Sequence, residues 1–344
     1  MKALLLFTLA LAISSSLHGS LKDLALSGDT VVSGSIITKN SVEFFKNGTA
    51  PIDEHSLFEV GSITKVFTAL AVSQYETKNP GFIDRPIREL ISGINSSSLG
   101  DVTGRELATH TSGFSRLPPS MGLFYILLNF KDPYRTYSRA NLIKDLNRSK
   151  LKTERGRFEY SNYGYATLGR ALETVSGRRY EDIIKHDILN PLGMTQSFIH
   201  YSKANEGTVT PGYGESGKPT SFWRQDAIAP AGSLKSSARD LSRFLSSYFE
   251  LGEDTLSQAM KRSLEPQVEV NKQHSVALGW QIRNHKRGPI YWHNGGTGGF
   301  RSFIAFLPNE TKGVVLLSNF AGIQDLDKKG FELLIAPPAS STAQ

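Results

Sequence analysis

In the run Ser62-Ile63-Thr64-Lys65, a hydroxyl and an amine stand three residues apart. On a helix that spacing puts both on one face, within hydrogen-bonding reach. A serine hydroxyl is a poor nucleophile until a neighbouring base takes its proton. A lysine amine can be that base when burial and nearby cations lower its pKa. In the first turn of a helix, unpaired backbone N–H groups and the helix dipole would also favour a developing anion. The spacing alone is a weak signal, because Ser149-Lys150-Leu151-Lys152 repeats it in a charged stretch with no amphipathic helix behind it. Alone, Ser62 also reads as an ordinary N-cap.

Two further clusters could complete such a site. Tyr160-Ser161-Asn162 precedes a helical pattern that starts at Gly164. A tyrosine hydroxyl beside a cation can shuttle protons, and an asparagine amide can both donate to a substrate carbonyl and accept from an amine. The alternative is a loop tyrosine with a turn asparagine. His293-Asn294-Gly295-Gly296-Thr297-Gly298-Gly299-Phe300 follows a strand pattern ending at Trp292. Glycines there would let the backbone approach a substrate closely, or would simply turn the chain.

These clusters need elements to hold them. Thr30 to Thr38 and Ser41 to Lys46 read as strands around a Lys39-Asn40 turn. Leu57 to Val60 reads as a short strand ending at Gly61, and a helix runs from Ser62 to about Glu76. Ala140–Leu146, Gly164–Val175, Tyr180–Leu189 and Ser237–Tyr248 have helical patterns. Ala277–Arg283, Ile290–His293, Phe300–Leu307 and Gly313–Asn319 read as strands, with a last helix over Asp325–Ile335. The short turns between the late strands call for antiparallel pairing. The expected fold is α+β: an antiparallel sheet built from both chain ends, flanked by helices, with a mostly helical inserted part. The domain reading is one catalytic domain over 20–336, its sheet part about 20–84 and 230–336 and its helical part about 85–229. Residues 337–344 read as a disordered tail.

Length and composition fit this. The 344 residues, 39% hydrophobic and 21% charged, suffice for a sizeable core. The net charge of +7 has no dense basic block with interleaved aromatics, which argues against nucleic acid and for a solvated basic surface. Lys2, the apolar run Ala3–Ile13 and the small Ser14–Ser16 read as a signal peptide over 1–19. The run is short for a membrane span. The expectation is therefore an exported protein, periplasmic or secreted, with no stable membrane span after cleavage. With no cysteine there is no disulfide, thiolate catalysis or lipidated cysteine. No His-Glu-x-x-His or Gly-x-Ser-x-Gly occurs, so neither a zinc hydrolase nor an α/β-hydrolase is expected, and no metal or other cofactor is called for. The apolar stretch Met121–Leu128 reads as core or cleft wall.

Ser62-x-x-Lys65, Tyr160-x-Asn162 and His293-x-Gly295, in that order and rough spacing, resemble the motifs of the penicillin-recognising serine hydrolases. Within them the chain looks most like the class C β-lactamase group, which includes D-alanyl-D-alanine carboxypeptidases/endopeptidases and certain esterases. Leu107–Phe114, Asn190-Pro191-Leu192-Gly193-Met194 and Pro230–Leu241 extend the likeness, which covers about 30 to 320. The resemblance implies a β-lactamase/transpeptidase-like fold and an acyl-enzyme on Ser62, with Lys65 and Tyr160 managing its proton. It implies an oxyanion held by the N–H groups of Ser62 and Gly296, a substrate amide oriented by Asn162, and Gly295 in the third motif. His293 stands where β-lactamases carry a lysine, so a fixed cation is missing there; Arg301 is an alternative carboxylate contact, or merely a surface arginine. The leading expectation is a peptidoglycan D-alanyl-D-alanine carboxypeptidase/endopeptidase that binds β-lactams, its substrates being stem peptides or β-lactams. Alternatives are a class C-type β-lactamase, an esterase and a non-catalytic penicillin-binding sensor.

Overall fold

The computed structural model describes residues 24, 28–96, 98–122, 125 and 131–337. The leader 1–19, the tail from 338 and most of Met121–Leu128 lie outside the described residues. The architecture is α+β. Ten strands occur among the described residues: β1 Val32–Ile37, β2 Val42–Asn47, β3 Phe58–Glu59, β4 Lys235–Ser236, β5 Val268–Asn271, β6 His274–Val276, β7 Gln281–Arg283, β8 Ile290–Gly296, β9 Arg301–Leu307 and β10 Lys312–Ser318. Eight form one antiparallel sheet in the order β2-β1-β10-β9-β8-β7-β6-β5, while β3 and β4 make a separate ribbon. The expected sheet from both chain ends is present: β1 pairs with β10 from Val32↔Ser318 to Ile37↔Gly313. The longer helices are α1 Thr64–Lys78, α2 Arg139–Arg148, α3 Asn162–Ser176, α4 Ala238–Ser247, α5 Thr255–Ser263 and α6 Leu326–Ile335.

Both faces of the central strands are covered, which is why Phe303–Leu307 of β9 and Val314–Leu317 of β10 are apolar without a break. Side chains alternate across a strand. Phe303, Ala305, Leu307, Val314 and Leu316 face α6, where they meet Leu326, Leu333 and Leu334. Ile304, Phe306, Val315 and Leu317 point the other way, into the main core with Phe244 and Leu245 of α4. Helix α1 is buried at every position from Thr64 to Gln74. A helix buried all round belongs inside a domain, and this one is the axle on which the site is mounted.

Several expected elements differ in detail. Of the strand expected over Ala277–Arg283 only Gln281–Arg283 (β7) forms, and Ala277–Trp280 is the turn that joins it to β6. Gly279 takes a left-handed backbone (φ +79°), and a Cβ there would stand 3.0 Å from the Lys65 carbonyl oxygen. The loop is thus pressed onto α1, and only glycine allows it. Strand β8 runs past His293 through both glycines to Gly296, so the turn falls at Thr297–Phe300, closed by Thr297 N–H donating to the Phe300 carbonyl at 3.1 Å. The segment Tyr180–Leu189 is a short α-helix, Tyr180–Ile184, continued by a wider π turn over Lys185–Leu189.

Candidate active site

Three segments converge at the N-terminal end of α1. The first is a 3₁₀ turn over Gly61–Ile63 that carries Ser62 out of the β3–β4 ribbon. Gly61 is left-handed (φ +51°), and Thr64 Oγ donates to its carbonyl at 2.7 Å. The second is the end of β8. A Cβ on Gly61 would lie 2.6 Å from the Gly296 nitrogen, and one on Gly295 would lie 2.0 Å from the Val60 oxygen and 3.0 Å from the Ser62 nitrogen. Residues 60–62 and 295–296 therefore touch backbone to backbone, and glycine is required at both Gly61 and Gly295. Ser302 Oγ ties the junction by donating to the Val60 carbonyl at 2.8 Å. The third segment is the entry to α3, where Ser161 caps the helix by accepting from Gly164 N–H at 2.8 Å. That cap leaves Tyr160 and Asn162 on either side of it, facing the cleft.

Lys65 is fully buried, with Nζ 3.1 Å from Ser62 Oγ and donating to the Ala231 carbonyl at 2.6 Å. Among the described residues no carboxylate balances it. Desolvation pushes its pKa well below the usual lysine value, and the Arg116 guanidinium adds to the shift. Its amine is thereby biased toward the neutral, proton-accepting form. Tyr160 hydrogen-bonds Ser62 while burial raises its own pKa, so its hydroxyl keeps its proton. Its ring stands 4.9 Å from Lys65 Nζ. Two side chains thus meet the one hydroxyl, one suited to take a proton and one to give it.

His110 supports this pair from the Leu107–Phe114 segment. Its backbone is left-handed (φ +60°), and its Nδ1 accepts the Ser161 N–H at 3.0 Å. Its ring lies 4.3 Å from that of Tyr160. Burial, and then the Lys65 charge, push its pKa well down, so it is a neutral platform under Tyr160.

Asn162 donates from Nδ2 to Tyr134 Oη at 3.3 Å, and its amide oxygen is buried without a partner. His293 is likewise neutral: desolvation, and then Lys65, lower its pKa to about 3. Its Nδ1–H donates to the Asn294 carbonyl at 2.6 Å, leaving a buried Nε2 with no partner. Where the sequence showed only that a fixed cation is missing, the structure places an uncharged acceptor. Arg301 pairs with Gly296 across β8 and β9, and its Nη1 donates to the carbonyls of Thr297 and Phe300 at 3.3 and 3.2 Å. Of the residues singled out in the sequence, Lys65 and Tyr160 thus meet Ser62, Gly295 and Gly296 touch the Gly61–Ser62 backbone, the His293 ring lies 6.4 Å from that of Tyr160, and Arg301 and Asn162 flank them.

The sequence reading passed over two features. The Ala231 carbonyl holds Lys65, and a backbone acceptor leaves no mark in residue type. Lys235, given no role from the sequence, is buried, donating to the carbonyls of Ile199 and Ser233 at 2.9 Å each. No cluster of metal-ligating side chains occurs among the described residues, and no described helix is long and apolar enough to cross a membrane.

A family model described as Beta-lactamase matches residues 30–335. The chain is 28% identical over 295 residues to penicillin-binding protein 4* of Bacillus subtilis (strain 168), covering 78% of this chain and 62% of that protein. It therefore spans less than two thirds of that relative. It is 24% identical over 315 residues to a beta-lactamase of Providencia stuartii, covering 80% of this chain and 76% of that one. Its fold is like that of a solved beta-lactamase/D-alanine carboxypeptidase from Pseudomonas syringae, with TM-score 0.82 at 19% identity over 96% of this chain and 100% of that chain.

Proposed function

Because the chain belongs to the beta-lactamase family and is a serine hydrolase of the β-lactamase/DD-peptidase type, we propose that it is an exported D-alanyl-D-alanine carboxypeptidase/endopeptidase that forms an acyl-enzyme on Ser62. The observation that carries this reading is a buried lysine without a carboxylate, held 3.1 Å from a serine hydroxyl. In acylation, Ser62 Oγ attacks the substrate carbonyl carbon and its proton passes to the neutral Lys65 amine. The carbonyl oxygen becomes an oxyanion held by the N–H groups of Ser62 and Gly296, donors typically worth about 3 kcal/mol each in the transition state. The C–N bond then breaks as Tyr160 Oη protonates the leaving nitrogen and recovers a proton from the Lys65 ammonium. Water attacks the resulting ester, its proton passing to the same pair and on to Ser62 Oγ. The open amide oxygen of Asn162 accepts the N–H of the substrate's acyl-side amide.

The neutral His293 favours a peptidase over a β-lactamase, since it supplies no permanent charge where β-lactamases place a lysine. Its open Nε2 accepts a hydrogen bond instead. Export rests on the leader pattern over 1–19 and would place the enzyme in the periplasm or outside the cell. In the same reading, residues 20–336 act as one catalytic domain.

The test is intact-protein mass spectrometry of wild type and Ser62→Ala mixed with a fluorescent penicillin, beside turnover of a D-Ala-D-Ala peptide, nitrocefin and short-chain esters. A transient adduct on wild type alone, with the peptide turned over fastest, is the expected result. Fast nitrocefin turnover would make it a β-lactamase. A long-lived adduct with no turnover of any substrate would make it a sensor.

A further inference from the structure

A cavity of about 260 Å³ stands apart from the catalytic side chains, none of which lines it. Its walls carry four cations, Arg135, Arg179, Arg224 and Lys235, together with His200 and one carboxylate, Asp226. Asp226 is already matched by Arg139 at 3.1 Å. The cations arrive from separate parts of the chain: the loop before α2, the residue capping the Tyr180–Ile184 helix, the connection before Ala229, and β4. Arg135 makes no ion pair among the described residues. Asp132, the carboxylate that feels its charge, turns both oxygens to the Arg224 backbone N–H at 3.1 and 3.0 Å. Lys235 spends its N–H groups on oxygens of Ile199 and Ser233, so it brings charge rather than a further bond. Arg179 and Arg224 pair with Glu181 and Glu206 in partly exposed contacts, which hold weakly and yield to a ligand of higher charge. The field inside is positive. Burial first, and then Lys235 and Arg179 against the pull of Glu181, lower the His200 pKa.

We infer that this cavity is a second binding site, separate from the acyl-transfer centre, and that it takes a phosphate group, either the free ion or a small phosphomonoester. Three guanidinium groups converging from different segments suit a tetrahedral anion, which offers oxygens in several directions. A carboxylate offers two oxygens in one plane and would leave part of the wall unanswered. Near neutral pH a phosphoryl group carries a charge of about −1.5 to −2, enough to engage Arg135 and draw a second arginine from its surface partner. The cavity is smaller than the range of about 300–1,000 Å³ usual for drug-sized ligands, so the rest of the ligand must be small. The site also backs onto the catalytic framework. Gln225, in its wall, donates from Nε2 to the Gly232 carbonyl at 3.2 Å, one residue beyond the Ala231 carbonyl that holds Lys65.

The experiment is isothermal titration of the full chain with inorganic phosphate, glycerol phosphate and succinate, at constant ionic strength set with chloride. Wild type should bind one phosphate per chain with a Kd of about a millimolar or tighter, and succinate at least about tenfold more weakly. Arg135→Ala should weaken phosphate about tenfold or more, the scale of one charge-assisted hydrogen bond. Arg301→Ala, altered in the catalytic cleft instead, should bind phosphate within about twofold of wild type. Phosphate should also raise the melting temperature of wild type by more than that of Arg135→Ala, which checks that the variant is folded and has lost the ligand. Glycerol phosphate binding as well as the free ion assigns the site to monoesters, and weaker binding assigns it to inorganic phosphate. Succinate matching phosphate would overturn the assignment, as would Arg135→Ala binding like wild type. Loss of binding in Arg301→Ala would place the anion in the catalytic cleft and overturn it too, and so would the absence of any heat of binding.

Discussion

Two lysines are buried within a few residues of the same ribbon, and their surroundings make them opposites. Lys65 has one carbonyl and one serine hydroxyl as oxygen partners, two aromatic rings nearby and an arginine rather than a carboxylate in its field. Lys235 has three acceptors, the carbonyls of Ile199 and Ser233 and the Ser233 hydroxyl, with the Tyr201 ring 4.0 Å away. It also faces Glu59 across the β3–β4 pair. Burial lowers the pKa of Lys235 too, but Glu59 and Asp132 oppose the shift and leave it at about 8, so it is mostly an ammonium at neutral pH. Burial alone therefore does not make a lysine a base. What decides is whether oxygen acceptors and a carboxylate come along with it.

The largest test separates the two by activity. Ser62→Ala and Lys65→Met should each lower acylation by at least about a thousandfold while keeping a wild-type melting transition, because each removes a group that acts in the transition state. Comparable loss per folded molecule in Lys235→Met would break the distinction. Gly295→Ala should also be damaging, about a hundredfold in acylation rate, since the new methyl must displace the Val60 carbonyl and with it the Ser62 N–H.

Stability should respond in the reverse sense. Lys235→Met strips three oxygens of their donor and leaves Glu59 buried without its counter-charge, a loss of about 3 kcal/mol in denaturant unfolding. Adding Glu59→Gln should recover part of it. The linkage has a definite sign. Between about pH 8 and the unfolded lysine value, unfolded Lys235 holds a proton that the folded form has released. Wild type should therefore gain stability relative to Lys235→Met as pH rises through that window.

Two smaller effects sharpen the picture of Lys65. The acylation rate should rise with pH through the depressed Lys65 pKa and then level. Removing the Arg116 charge should move that limb to higher pH, by less than about one unit for an exposed cation. His293→Gln should leave the shape of the profile unchanged between pH 5 and 8, because a histidine lowered to about 3 does not titrate there.

The sequence is readable where chemistry is carried by side chains at local spacings. Ser62 with Lys65, and Tyr160 with Asn162, can be picked out as candidates because each pair lies within a single turn of chain, and the family likeness is what joins them. The late strands are legible from the turn residues that bound each of them. What was not legible depends on distant contacts. Nothing in Ala231 marks its carbonyl as the one that holds Lys65, and Lys235 sits among serines like any surface cation. The turn between β6 and β7 is set by how Gly279 meets α1, not by the composition of the strand. Strand β8 continues through glycines because residues 60–62 lie against it, although isolated glycines weaken a strand.

The pairing of β1 with β10 joins Val32 to Ser318. A nascent chain has therefore made Ser62, Tyr160 and finally His293 before the strand that closes the middle of the sheet exists. Contacts so far apart in sequence form late and slowly. Activity should thus arise near the end of synthesis rather than in stages, and a chain halted before residue 312 would carry every motif without the framework to align them.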